Sequence, residues 1–173
     1  MYRSRIILII LLVFFSFPIF ASNQCADLIE AKKYYKALDI CKQMAKQGHP
    51  SAQFNLGILY YQGLGVMSDK RIANKWIAKA AMNNFAKAQY NLGIMTANGI
   101  GADADLSNAY AWLILAKKNG YEDAALAIEK MGEELSKKEK KQADKVVQDL
   151  IEQQKIKQQE LEQQKLKQQK AKK

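Results

Sequence analysis

His49 is the single histidine of the chain and sits in the turn Gly48-His49-Pro50-Ser51. To act as a general base it would need a nucleophile within hydrogen-bond reach and an acid to orient it. Ser51 is too near in sequence to supply that geometry. Pro50 and Ser51 read instead as the start of a helix, with the Ser51 hydroxyl satisfying open backbone N–H groups. Asp69, Asp103 and Asp105 are the carboxylates closest to an acid pair or a metal set. Asp69 and Asp105 each follow a glycine-bearing loop at the same offset, where a carboxylate caps the helix that comes next. With two cysteines and one histidine there is no metal cluster to expect. Gly63-Leu64-Gly65 and Gly99-Ile100-Gly101 are not phosphate loops, because the lysine at the required spacing is missing and each joins two helices. The expectation is a protein that is not an enzyme, with no catalytic residue, cofactor or metal.

The two cysteines, Cys25 and Cys41, are the remaining chemistry. If Cys25 to Lys33 is one helix and Tyr35 to Lys46 the next, each cysteine lies about two turns from the connection. An antiparallel pair brings them level. The readings are a disulfide or two buried thiols, and an even count in an exported chain favours the disulfide. Export is expected from the N-terminus: Arg3 and Arg5 precede an unbroken apolar run from Ile6 to Phe15 that continues to Ala21, the layout of a secretory leader. Cleavage is placed after Ala21, with Ile19 bulkier than the usual pattern. The other reading is an uncleaved anchor in the inner membrane, for which the 16 residues from Ile6 to Ala21 are slightly short. Ser22, Asn23 and Gln24 before Cys25 do not fit a lipidation site.

The elements that position these residues come from a repeat. SAQFNLGILYYQGLG from Ser51 returns as KAQYNLGIMTANGIG from Lys87, a shift of 36 residues. The shift carries Trp76 to Trp112, Ala80 to Ala116 and Ala88 to Ala124, and backward carries Ala88 to Ala52 and Ala81 to Ala45. Within a unit Ala52, Leu56, Leu59 and Tyr60 make one helical stripe, and Ile72, Trp76 and Ala80 another. Paired glycines between the stripes end one helix and turn the chain. Trp76 and Trp112, in phase with the alanines, are read as core wedges. Tyr61 breaks phase, and with Tyr34, Tyr35, Tyr90 and Tyr110 it is a candidate contact aromatic for a partner. No hairpin could bury its apolar face alone, so neighbours must stack.

The run AQFNLGILYYQGLGVMSDKRIANKWIAKAA resembles the Sel1-like repeat, a relative of the tetratricopeptide repeat built from two antiparallel helices. The first unit matches at Ala52, Leu56, Gly57, Tyr60, Gly63, Gly65, Val66, Asp69, Ala73, Trp76, Ala80 and Ala81. The second matches at Ala88, Leu92, Gly93, Gly99, Gly101, Ala109, Trp112 and Ala116. It departs at Met95 and Thr96, where a Tyr is usual, at Ala102 in place of Val, and at Ile72, with Arg71 displaced by one. The resemblance implies an all-α solenoid over 22–131, divided into a degenerate unit 22–50, repeats 51–86 and 87–122, and a partial unit 123–131.

Ser136 and Glu139 form a capping box that opens a further helix. Over 132–150 it is expected to lay Ala143, Val146, Val147 and Leu150 on the last repeat as a cap. In 151–173 apolar residues recur every five positions, at Ile151, Ile156, Leu161 and Leu166. Each step rotates the side chain by about 140°, so no stripe or coiled-coil seam forms. This segment is read as a solvated charged helix or a disordered tail, or one that orders on a partner. The net charge of +10 falls to +8 without Arg3 and Arg5 and is spread along the chain. Such diffuse charge suggests weak contact with anionic membrane surfaces through the basic tail and does not mark a nucleic-acid groove. The resemblance implies a monomeric, exported scaffold or adaptor in the bacterial periplasm that holds another protein or peptide. Its alternatives are an immunity protein against a periplasm-targeted toxin and a structural protein of the envelope.

Overall fold

The computed structural model describes residues 17–170, with side chains from residue 24 onward. The expected leader over 1–21 therefore lies outside what is described, apart from the backbone of its last few residues, as do residues 171–173. The described residues form eight helices: α1 Phe17–Glu30, α2 Tyr34–Lys46, α3 Pro50–Gln62, α4 Lys70–Met82, α5 Ala86–Ala97, α6 Leu106–Lys118, α7 Ala124–Glu134 and α8 Lys137–Lys170. They pair in chain order into stacked antiparallel hairpins, α1/α2, α3/α4 and α5/α6, followed by α7 and the long α8. This is the all-α solenoid expected from the repeat.

Local chemistry sets the helix ends. The Asp69 carboxylate accepts from the backbone N–H groups of Arg71 and Ile72, both at 2.9 Å, and Asp105 accepts from Asn108 N–H at 2.9 Å. Each satisfies donors that the first turn leaves open. The capping box is reciprocal: Ser136 N–H donates to Glu139 Oε2 at 2.8 Å and Glu139 N–H to Ser136 Oγ at 3.3 Å. The helix at Pro50 differs from expectation. His49 occupies the cap position with an extended backbone, Pro50 is in the first turn, and Ser51 lies inside the helix with no capping bond. Proline's fixed φ starts this helix without a side-chain acceptor.

Glycines bring the helices together at equivalent places in both units. A Cβ on Gly57 would lie 2.5 Å from Ile77 Cγ1, and one on Gly93 would lie 3.0 Å from the Ala109 carbonyl oxygen. These two positions let α3 close on α4 and α5 on α6. The loop glycines Gly65 (φ +70°) and Gly101 (φ +78°) hold the left-handed conformation against the start of the preceding hairpin's second helix, at Tyr34 and Lys70.

Buried polar side chains link one hairpin to the next. Gln53 Nε2 donates to the Ala45 carbonyl and Gln89 Nε2 to the Ala81 carbonyl, both at 3.1 Å. Each glutamine oxygen in turn accepts from an asparagine at the end of its own unit, Asn83 to Gln53 and Asn119 to Gln89, both at 2.8 Å. The two sets are 36 residues apart in every member, so the seam repeats as the fold does.

Two apolar cores follow. One gathers α1, α2 and α3 around Cys25, Leu38, Cys41, Leu56 and Leu59. The other runs from Phe54 through Ile77, Leu92 and Trp112 to Ala143 and Val147 of α8. Cys25 and Cys41 are fully buried and joined by a disulfide, with Cα atoms 5.1 Å apart.

The C-terminal helix runs through residue 150 without a break. α8 is one helix of 34 residues, and its packed part extends beyond the cap expected over 132–150. Ile151 joins the core, Gln154 is buried and donates to the Ala81 carbonyl at 3.2 Å, and Lys157 reaches the face of α4. The helix thus lies on the second helices of both units, α6 and then α4, rather than on the last unit alone. From Gln158 to Lys170 every residue is exposed. Ile156, Leu161 and Leu166 are between 44% and 54% exposed, as their rotation around the helix requires.

Candidate binding surface

The five singled-out tyrosines do not converge on one patch. Tyr34 packs against the disulfide core, and Tyr61 and Tyr110 pack against the larger one. Tyr110 is tucked beside α7, where a Cβ on Gly132 would sit 3.3 Å from its hydroxyl. Tyr35 stands open at 81% exposure. Tyr90 stacks on Tyr121 with ring centroids 4.9 Å apart and lines a groove of about 410 Å³ between α5 and α7, with Ile94, Leu126 and Lys130. The Tyr121 hydroxyl is pushed up from its ordinary pKa, first by burial and then by the charge of Asp123.

The tryptophans share a repeat position but not an environment. Trp112 is buried at 8% exposure beneath α8, as a core wedge. Trp76 is half buried: it packs on the disulfide core while lining an open groove of about 520 Å³. Ile72, Met82, Lys75, Lys79 and Lys157 line the same groove. Lys79 Nζ stands 4.3 Å from the Trp76 ring centroid, within range of a cation–π contact. The Lys157 ammonium is held below its ordinary pKa, chiefly by burial and further by the charge of Lys79. The residues beside each tryptophan signal this difference, since Lys75 and Lys79 flank Trp76 where Ala111 and Leu115 flank Trp112.

The chemistry-bearing residues stay apart. His49 lies at the start of α3, Asp69 and Asp105 serve as caps, and Asp103 is exposed in its loop. Among the described residues no group of three His, Cys, Asp or Glu is placed to hold a metal ion. Sequence reading passed over the buried glutamines. Their signal was the Ala-Gln pair at Ala52-Gln53 and Ala88-Gln89, repeated in phase with Asn83 and Asn119.

Comparison with known proteins agrees with this architecture. The Sel1 repeat family matches residues 50–85 and again 86–121. A protective antigen present in uropathogenic Escherichia coli strains, whose crystal structure displays an SLR fold, aligns with a TM-score of 0.73 and 30% identity over 77% of this chain and 29% of its own. A Sel1 repeat protein from Oxalobacter formigenes aligns with a TM-score of 0.58 and 36% identity over 62% of this chain and 43% of its own. The chain therefore spans less than half the length of either solved relative. No curated protein matches it. The chain carries two Sel1 repeats, over residues 50–121. Repeats of this type generally act as protein–protein interaction scaffolds.

Proposed function

We propose that this protein is an exported adaptor that holds another protein in the bacterial periplasm. The observation that carries the reading is the disulfide between Cys25 and Cys41 at the head of a binding solenoid. Such bonds persist in oxidising compartments and are rare where thiols are kept reduced. The leader-like N-terminus supports the same compartment. No helix among the described residues is long and apolar enough to cross a membrane. One solved relative is a protective antigen, which fits a protein of the cell envelope. The partner is a protein or peptide, since stacked hairpins offer an extended face rather than an enclosed pocket.

The test is to tag the native protein at its C-terminus, crosslink intact cells and identify what copurifies from the envelope by mass spectrometry. A chain ending at Lys157 is run beside it. One protein recovered in near-equal amount supports the adaptor, and its loss from the shortened chain places the contact on the exposed end of α8. If that protein is a toxin encoded beside this chain, the adaptor is an immunity protein. Recovery of only lipid or cell-wall material, with no protein above the untagged control, overturns the reading in favour of a structural role.

A further inference from the structure

The two repeats treat one position in opposite ways. Ala111, Trp112 and Leu115 of α6 are buried in the core that Ala143 and Val147 of α8 complete. Thirty-six residues earlier the same positions are Lys75, Trp76 and Lys79. There both lysines are exposed, Trp76 is half buried, and the surface is an open groove. This face of a repeat receives α8 in one unit and is left largely open in the other, where α8 reaches only the C-terminal end of α4.

The groove carries charge of one sign only. Lys75, Lys79 and Lys157 line it with no carboxylate among the lining residues. Among the described residues the one ion pair within 4 Å is Glu152 with Lys155, so none of the three lysines has an acidic partner at that distance. Lys79 is held over the Trp76 ring and Lys157 is partly withdrawn from water, which keeps both ammonium groups beside an apolar surface. Two like charges so placed are unfavourable until an anion joins them.

We propose that this groove is the docking seat for an acidic amphipathic helix of a partner protein. The partner's apolar stripe covers Trp76, Ile72 and Met82, as α8 covers Trp112, and its flanking carboxylates meet Lys79 and Lys157. Replacing Ala111 and Leu115 by lysines at the equivalent positions is what turns a seat for the chain's own α8 into one selective for acid. Helix-in-groove recognition of this kind reads anchors at i, i+3, i+4 and i+7. The inference rests on the protein-binding reading above and adds the place and the chemistry of the contact.

The experiment uses the full chain and two labelled synthetic peptides of about 20 residues, long enough to hold a helix when bound. Both carry leucines at helical spacing; one is flanked by glutamates and its twin by lysines. Fluorescence anisotropy should show the acidic peptide binding at least about tenfold more tightly than the basic one, with the gap narrowing as salt is raised. The double variant Lys79→Glu/Lys157→Glu should lose that advantage and gain affinity for the basic twin. Trp76→Ala should weaken the acidic peptide. Unchanged thermal melts establish that the variants fold, and the reversal of preference is a readout that misfolding cannot give. Equal binding of both peptides, binding of neither, or an unaffected double variant overturns the proposal. Vesicles rich in phosphatidylglycerol that bind through the same lysines while the peptides do not would overturn it in favour of a membrane contact. A cellular partner still crosslinked to the double variant removes this seat and leaves the adaptor reading standing. Absence of any cellular partner removes the adaptor itself.

Discussion

Gln89 and Gln154 both donate to the Ala81 carbonyl, and they should not be equal in worth. Gln89 is fully buried and also accepts from the exposed Asn119, so Gln89→Ala removes two hydrogen bonds and opens a gap in the seam. Its loss should destabilise the fold by about 2–3 kcal/mol in urea denaturation. Gln154→Ala removes a single hydrogen bond and leaves Ala81 satisfied by Gln89, for a loss of about 1 kcal/mol. An equal effect of the two would contradict the seam as described. At Asp69 the prediction concerns pH. The carboxyl is held below its ordinary value of 3.8, first by the Ile72 N–H, then by the Arg71 N–H and the charges of Arg71 and Lys75, against a partial opposing effect of burial. A depressed folded pKa means the unfolded chain binds the proton first as pH falls. The contribution is therefore present above the unfolded value and lost as pH drops through the folded one. Asp69→Asn keeps a good capping side chain without the charge. Its melting temperature should depend less steeply on pH than the parent's below about pH 4.

α8 is two things joined end to end, and truncation should separate them. Among the described residues, ending the chain at Lys157 removes only exposed ones, so its melting temperature should match that of the full chain within about 2 °C. Ending it at Leu135 uncovers Trp112, Leu115 and their neighbours. That variant should melt far lower or aggregate, as read by circular dichroism and light scattering. The hairpins, their glycine turns and aspartate caps were legible in the sequence, because Trp76 and Trp112, Asp69 and Asp105, and the paired glycines each return after 36 residues. The half-open state of Trp76 was legible only in part: Lys75 and Lys79 in place of Ala111 and Leu115 mark a wetter face, but the spacing carries no information about which copy a later helix will cover. Gln154 was hidden for a different reason. It lies among glutamines that recur every five residues, and only the path of α8 over α4 picks out the one that meets a carbonyl. The cap was expected to end at Leu150 because the five-residue spacing beyond it forms no apolar stripe, yet a hydrogen bond from Gln154 and a half-buried Lys157 carry the contact another two turns.

At the scale of the molecule, the disulfide belongs to one core and α8 to the other, with α3 in both. The bond closes a segment of 16 residues, for which chain entropy gives about 3 kcal/mol. Reducing it, or making Cys25→Ser with Cys41→Ser, should loosen α1 and α2 well before α5 and α6. Hydrogen exchange should show protection lost first over Tyr34–Lys46 and kept over Leu106–Lys118. Uniform loss along the chain would mean that the two cores open as one. The glutamine seam has a consequence for how such a chain can lengthen. Ala45 and Ala81 present the same acceptor at the end of a hairpin, and Gln53 and Gln89 bring the same donor to it. The joints ahead of the two matched units, at Gln53 and at Gln89, are therefore built alike. A duplicated copy inserted between residues 85 and 86 would meet familiar fittings on both sides, so this architecture can gain or shed length by whole units without a new joint being invented.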